Sequence, residues 1–136
     1  MLEQERTTFD PPFELWREDG VLHLVMAKGA RVQVRDMKEF IRLVAALDRS
    51  GCSPVLMEYA EQVVVDDSAR ALLRRICGAQ GHPVALFATD PTSRAQAEVF
   101  KHVERPAFPF RVFALREEAF RWARERRQLA ELVQRS

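Results

Sequence analysis

Residues 13–26 read FELWREDGVLHLVM, two alternating runs of strand length separated by Asp19-Gly20. Asp-Gly between such runs is a strong hairpin signal, because both residues of the tight turn need positive φ. A two-residue turn pairs Glu18 with Val21 and thereby sets the register of both strands. One face of the hairpin is then apolar and is predicted to lie against the core: Phe13, Leu15, Leu22, Leu24 and Met26.

The same register places Trp16 directly opposite His23 on the second face of the hairpin. A cross-strand aromatic pair stabilises a sheet without any further role. We therefore expect a helix or another subunit to cover this pair, with a binding role as the alternative.

Beyond the hairpin, helical and strand-like stretches alternate along the chain. Helical spacing of apolar residues predicts helices over 34–48 and from Asp66-Asp67-Ser68 to Gly78, and apolar runs predict strands over 54–59 and 84–88. Asp90-Pro91 is typical of the N-cap and first residue of a third helix, which Pro106 ends. A strand over 110–114 and a helix from about Arg116 complete the order.

Each predicted helix has one apolar face directed at the core. In the first helix, Asp36 caps the start or lies in the first turn, and Ser50-Gly51 ends the helix. The apolar residues at helical spacing in the four helices are, in chain order, Met37, Phe40, Ile41, Val44 and Leu47; Ala69, Leu72, Leu73, Ile76 and Cys77; Ala95, Val99, Phe100 and Val103; and, on one side of the last helix, Leu115, Ala119, Trp122, Leu129 and Val133.

The resulting order, β-β-α-β-α-β-α-β-α, predicts an α/β fold. Its sheet is mixed but mostly parallel, because strands joined through right-handed helical crossovers pair in parallel and only the N-terminal hairpin is antiparallel. A chain of 136 residues and 15.7 kDa fits one domain. We expect a loose lead-in over 1–12, ending in two prolines, and a single domain over 13–136.

Composition and charge exclude several functional classes. Twenty-one Lys and Arg against twenty Asp and Glu give a net charge of +1, so no overall field favours nucleic acid or an anionic membrane. No apolar run approaches the roughly 20 residues that a membrane helix needs, and Met1 to Arg6 is too charged for a signal peptide. The sequence therefore predicts a cytoplasmic protein without membrane insertion.

Cysteine and histidine spacing does not predict a metal site. Cys52 and Cys77 form no closely spaced pair, and His23, His82 and His102 are scattered along the chain. The cysteines fit a role as small apolar core residues. No glycine-rich loop indicates a nucleotide, so we expect no cofactor.

Polar residues are predicted to meet where the parallel strands end, which we call the carboxyl edge. Helix N-termini gather at this edge, and sites in open α/β sheets commonly form there. The start of the third helix suits a small anionic ligand. The candidate partner or ligand residues at the edge are Asp66, Asp67, Ser68, Thr89, Thr92, Ser93, Arg94 and Arg116.

Ser68 has two open interpretations, neither of them catalytic. A nucleophilic serine needs a base within hydrogen-bond reach, but His82 precedes its strand and His102 ends its helix, so both lie far from this edge. We therefore expect no enzyme. Ser68 is either a capping or solvated residue at a helix start or a phosphoacceptor, whose roughly −2 charge suits a helix N-terminus but is repelled by Asp66 and Asp67.

The element order and the turn after Val63-Val64-Val65 resemble the STAS (SpoIIAA-like) fold of bacterial anti-sigma-factor antagonists. In those proteins a strand leads into an Asp-Ser-Ser-Gly turn, whose second serine is phosphorylated by a partner kinase. Asp66 and Ser68 match this turn, whereas Asp67 replaces the first serine and Ala69 the glycine. The resemblance implies a regulatory module that binds a protein partner, with Ser68 as the phosphoacceptor.

The C-terminal part is similar to small bacterial STAS-like proteins of unknown function. This similarity lies in Phe108-Pro109-Phe110-Arg111-Val112-Phe113, Glu117-Glu118-Ala119 and Trp122. It implies the same fold and leaves the function open.

The last helix predicts self-association. A helix of some twenty residues is about 30 Å long, more than a small sheet needs as cover. Beyond the charged segment 124–127, which is too short to indicate nucleic-acid binding, Leu129, Leu132 and Val133 present apolar surface. We expect a homodimer or another protein partner there. The sequence thus favours a non-enzymatic STAS-like interaction module, with a small-molecule or anion-binding domain at the carboxyl edge as the alternative.

Overall fold

The computed structural model describes residues 11–49, 53–76 and 82–135. Most of the predicted lead-in lies outside the described residues, as do Ser50-Gly51, both cysteines and Gly78. The side chains of Ile76 and Val133 also lie outside the described part.

The described residues form seven strands and four α-helices. The strands are β1 Phe13–Glu18, β2 Val21–Met26, β3 Arg31–Val32, β4 Val55–Tyr59, β5 Val64–Val65, β6 Val84–Ala88 and β7 Phe110–Phe113. The helices are α1 Val34–Leu47, α2 Asp67–Ile76, α3 Pro91–Val99 and α4 Arg116–Arg135, and a π-helical turn, Phe100–Glu104, continues α3.

Five of the strands form one mixed sheet in the order β1-β2-β4-β6-β7, which confirms the α/β class. β1 and β2 are antiparallel and every other pair is parallel. The predicted hairpin register is confirmed, with Glu18 paired to Val21 and Phe13 to Met26. Asp19 and Gly20 have φ values of 55° and 75°, as the two-residue turn requires.

The sequence pattern did not predict β3 and β5, which form a separate two-stranded parallel sheet. Each strand has only two residues, too few for an alternating pattern to show. Their pairing sets Arg31 beside Val64 and Val32 beside Val65. It therefore joins the chain that follows β2 to the chain that precedes α2.

The main sheet is buried on both faces. On one face, the apolar side of the hairpin packs with α1, α2 and α3, and Leu22 and Leu24 have no exposed surface. On the other face, α4 covers a smaller cluster that includes Val21 and Leu56. Because helices cover both sides, strands β4 and β6 are apolar along most of their length.

Helix α4 packs on the Trp16–His23 pair through His23. A helix was one of the two covers expected there, and another subunit was the other. The rings are stacked with centroids 5.4 Å apart, and Phe120 of α4 lies 6.1 Å from the His23 ring. Burial lowers the pKa of His23, and the positive charge of Arg116 adds to this effect. The carboxylates of Glu18 and Glu58 act in the opposite direction. His23 is thus a buried aromatic contact between the sheet and α4.

Of the four apolar residues that the spacing assigns to α3, only Phe100 is buried. Ala95, Val99 and Val103 are exposed, Val103 by 70%, while Ser93, Ala97 and Phe100 are buried. The π-helical turn, Phe100–Glu104, holds an extra residue, which rotates Val103 relative to an α-helix, whereas Ala95 and Val99 precede this turn. Small residues at 93 and 97 also face the sheet, a pattern that an apolar-periodicity argument passes over.

The apolar side of α4 lies over the sheet only around Ala119 and Trp122. Ala119 and Ala123 have no exposed surface, but Leu115 and Leu129 are exposed by 59% and 54%. From Arg116 to Arg127 the helix spans about 18 Å, enough to cross the sheet at 1.5 Å per residue. Arg127 lies against Gly20 in the hairpin turn at the opposite edge. Leu129 is exposed because the helix has already passed that edge.

Candidate functional site

The candidate edge residues form three groups, each held by its own partners. Hydrogen bonds and ion pairs of the described residues link none of the three groups to another. Each group follows the end of a different strand, β5, β6 or β7, and the meeting of these side chains at the carboxyl edge stays a prediction.

The first group lies between β5 and the first turn of α2. Arg31 Nε donates to Asp66 Oδ1 at 3.2 Å, a contact set up by the β3–β5 pairing. Arg70 forms an ion pair with Asp67 and donates from Nη1 to the carbonyl oxygen of Val65 at 2.9 Å. Each of the two carboxylates therefore has an arginine beside it.

Ser68 is exposed in the first turn of α2. Asp66, rather than Ser68, precedes the helix, and its carbonyl oxygen accepts the first helical hydrogen bond from Arg70 N–H at 3.0 Å. The Ser68 hydroxyl makes no hydrogen bond within the described residues. It therefore caps nothing there and is accessible to a modifying enzyme.

The second group surrounds Asp90, the predicted N-cap of α3, which is confirmed. Its Oδ1 accepts from Thr92 N–H at 3.2 Å, and its Oδ2 accepts from the Ser93 hydroxyl at 3.1 Å and from Gln62 N–H at 3.4 Å. The backbone hydrogen bond from Gln62, then that from Thr92, lowers the pKa of Asp90. The carboxylate also ties the loop after β4 to the loop after β6.

The start of α3 therefore holds a carboxylate of its own. Arg94 is occupied as well, because its Nη1 donates to the carbonyl oxygens of Ala88 at 2.9 Å and Thr89 at 2.8 Å. Thr89 and Thr92 are exposed and Ser93 is buried. An anion site at this helix start depends on hydrogen-bond donors, and those donors already bind acceptors within the chain.

The third group pairs Arg116, the first residue of α4, with Glu58 of β4. The Arg116 guanidinium also lies 5.9 Å from the centre of the Phe120 ring. Both contacts fix the first turn of α4 over the sheet. Arg116 is thus a docking residue of α4, and it makes no described hydrogen bond or ion pair with Ser68.

Sequence reasoning missed the two arginines that frame Ser68. The pairing of Arg70 with Asp67 could have been predicted, because residues three apart on a helix are neighbours and Asp67 precedes Arg70 by three. The contact of Arg31 with Asp66 could not have been predicted, because the two residues lie 35 positions apart and meet only through the pairing of two-residue strands.

Two kinds of site do not occur among the residues that the structure describes. Within 11–49, 53–76 and 82–135, no group of three or more His, Cys, Asp or Glu side chains is placed to hold a metal ion. Over the same ranges, no helix combines the length and apolar character needed to cross a membrane.

Comparison with known proteins gives one match. Residues 15–127 match a family model described as a domain of unknown function, DUF7793. The searches of curated proteins and of solved structures found no match.

Proposed function

The chain belongs to the DUF7793 family of domains of unknown function, and we propose that it acts as a non-enzymatic interaction module regulated by phosphorylation of Ser68 at the carboxyl edge. The proposal includes a STAS-like fold, in which the helix after β5 begins at the phosphoacceptor. The mixed sheet with its N-terminal hairpin and the Asp66–Ser68 spacing support this part.

One observation carries the proposal: an exposed serine without a hydrogen-bond partner in the described chain directly follows two aspartates, each of which is paired with an arginine. A phosphoryl group adds roughly −2 charge and three acceptor oxygens, which suit a helix N-terminus and arginine side chains. Asp66 and Asp67 oppose that charge, but Arg31 and Arg70 balance them. The repulsion expected from the sequence is therefore reduced.

The two ion pairs can also rearrange around a phosphate. The Asp67 side chain is 95% exposed, and pairs of this kind contribute at most about 1 kcal/mol. A phosphate on Ser68 offers each arginine a doubly charged alternative to a carboxylate. Phosphorylation then changes the charge and shape of this surface, which is how it changes the affinity for a partner.

The non-enzymatic part rests on the positions of the histidines. His82 Nδ1 lies 2.6 Å from the carbonyl oxygen of Ser53 at the opposite edge of the sheet, and His102 is exposed and pairs with Glu98 at 3.4 Å. Neither of these histidines is placed to take the proton of Ser68, and His23 is buried under α4.

We expect protein isolated from its native cells to carry a phosphate on Ser68 and not on Thr92. Thr92 is the matched control, because it too is an exposed hydroxyl residue in the first turn of a helix. Tandem mass spectrometry locates the phosphate. In pull-downs, Ser68→Ala and Ser68→Glu should retain a specific partner to different extents, whereas Thr92→Ala should behave as wild type. Unmodified Ser68 together with equal retention by both Ser68 variants would refute the proposal.

We also propose that α4 mediates a homodimer. About eight residues of α4 extend past Arg127, and they carry the exposed side chains of Leu129 and Leu132. A second copy arranged about a two-fold axis covers the same segment on both chains at once. Apolar side chains exposed on a helix that no longer lies over the sheet favour such a contact.

Light scattering at tens of micromolar should give about twice the 15.7 kDa chain mass, and Leu129→Glu should lower the mass to that of a single chain. Val99→Glu, which alters an exposed valine on α3, is the control and should leave the dimer intact. A wild-type particle of 15.7 kDa would contradict the dimer.

A further inference from the structure

A small cavity lies between the main sheet and the helices α1, α2 and α3. Its volume is about 40 Å³, and its walls are mainly apolar side chains, among them Phe13, Met57, Leu86 and Phe100. Three polar residues also line it, namely Tyr59, Arg70 and Gln96. An apolar cavity with a few convergent polar groups is the usual form of a small-molecule site.

The three polar residues come from three elements that meet at the carboxyl edge. Tyr59 is the last residue of β4, Arg70 lies in the first half of α2, and Gln96 lies in α3. The Tyr59 hydroxyl and the Gln96 amide make no hydrogen bond within the described residues, although both side chains are partly buried. No buried side-chain oxygen or nitrogen of the described residues lacks a partner, so these two groups reach solvent and are open to a ligand.

All three groups can donate hydrogen bonds to an anion. Burial raises the pKa of Tyr59 to about 12, so its hydroxyl keeps its proton at neutral pH. Arg70 is a permanent cation and Gln96 carries an amide NH₂ group. The exposed Asp67 is the present partner of Arg70, and a ligand carboxylate can take its place.

The volume limits the rest of the ligand. A water-sized sphere occupies about 10–15 Å³ on this measure, so the cavity holds roughly three or four such spheres. That is room for a tail of about three or four carbon atoms. We propose that the chain binds a short-chain monocarboxylate, with its tail in the cavity and its carboxylate at Tyr59, Arg70 and Gln96.

A larger cavity of about 140 Å³ at the opposite edge lacks these features. It is lined by apolar residues and by His82, whose Nδ1 already contacts the carbonyl oxygen of Ser53 at 2.6 Å. The proposed carboxylate site does not depend on phosphorylation, because its donors are present in the unmodified chain. Failure of the Ser68 proposal therefore leaves it standing.

The test is a titration of the full chain with butyrate, followed by NMR chemical shifts and by thermal unfolding. We expect saturable shifts at millimolar butyrate and a raised midpoint of unfolding. Tyr59→Phe removes one donor and keeps the ring, and it should weaken binding about three- to tenfold. Arg70→Gln should weaken binding at least as much, whereas Arg31→Gln, a change in the neighbouring ion pair, should leave the affinity unchanged.

Two further ligands test the head and the tail separately. 1-Butanol, which lacks the charge, and octanoate, which exceeds the cavity, should both bind more weakly than butyrate. If Tyr59→Phe does not fold, Gln96→Leu removes a different donor from the same polar rim of the cavity, which consists of Tyr59, Arg70 and Gln96. Absence of saturable binding, equal binding by wild type and the rim variants, or octanoate binding as tight as butyrate would each overturn the proposal.

Discussion

Leu86→Ala is expected to destabilise the fold by roughly 2–5 kcal/mol and to lengthen the carboxylate that the cavity accepts. Leu86 lies in the middle of β6, is 2% exposed and forms part of the cavity wall. Truncation removes buried methyl groups and leaves empty space, because a packed interior relaxes only in part. That space joins the existing cavity of about 40 Å³.

The change in ligand length separates a binding cavity from a packing defect. In Leu86→Ala, hexanoate should bind more tightly than butyrate, the reverse of the order in wild type. Urea unfolding measures the loss of stability, and the same NMR titration measures the two affinities.

Leu56→Ala is the matched control. Leu56 lies on the adjacent strand β4, has no exposed surface, and packs under α4 on the opposite face of the sheet. This variant should lose a similar amount of stability and keep the preference for butyrate. A preference that moves in both variants, or in neither, would show that the ligand does not occupy this cavity.

The hairpin shows what sequence alone predicts well. Its register follows from Asp19-Gly20 because turn chemistry and side-chain alternation act over a few neighbouring residues. The N-cap at Asp90 is equally local, since proline fixes the next residue in helical geometry. Both were predictable without knowledge of the tertiary structure.

The α3 helix shows where such reasoning fails. Val99 and Val103 are apolar and helically spaced, yet both are exposed, and the small residues at 93 and 97 are buried instead. Periodicity measures hydrophobicity and is blind to the backbone and to residues that are small enough to allow close packing.

The site depends on contacts that are even less local. Arg31 reaches Asp66 through strands of two residues, and the cavity rim draws Tyr59 and Gln96 from elements far apart in the chain. Sequence reasoning could nominate the carboxyl edge and Ser68 as candidates, because both follow from the order of strands and helices. It did not predict the cavity, since a cavity forms where packed side chains leave space between them, and no sequence pattern indicates where this happens.

Ala123→Asp is expected to remove α4 from the sheet at a cost of roughly 3–5 kcal/mol, the range for an uncompensated buried charge. Ala119 and Ala123 lie one turn apart, have no exposed surface, and pack with Val21, Leu56 and Ala85. Arg126 and Arg127, three and four positions further along α4, already contact Trp122 and Glu131, so an aspartate at 123 has to compete for them from inside an apolar cluster. The loss is a large part of the roughly 5–15 kcal/mol that stabilises a typical domain.

Tryptophan fluorescence distinguishes undocking of α4 from global unfolding. The chain has two tryptophans: Trp122 lies on α4, 6.0 Å from the Phe113 ring, and Trp16 is stacked on His23, which Phe120 of α4 contacts. In Ala123→Asp the fluorescence transition should therefore occur at lower urea than the circular-dichroism transition of the sheet. Gln128→Asp, an exposed change on the same helix, should shift stability by no more than about 0.5 kcal/mol. Two coincident transitions in Ala123→Asp at the wild-type midpoint would mean that α4 does not cover this face of the sheet.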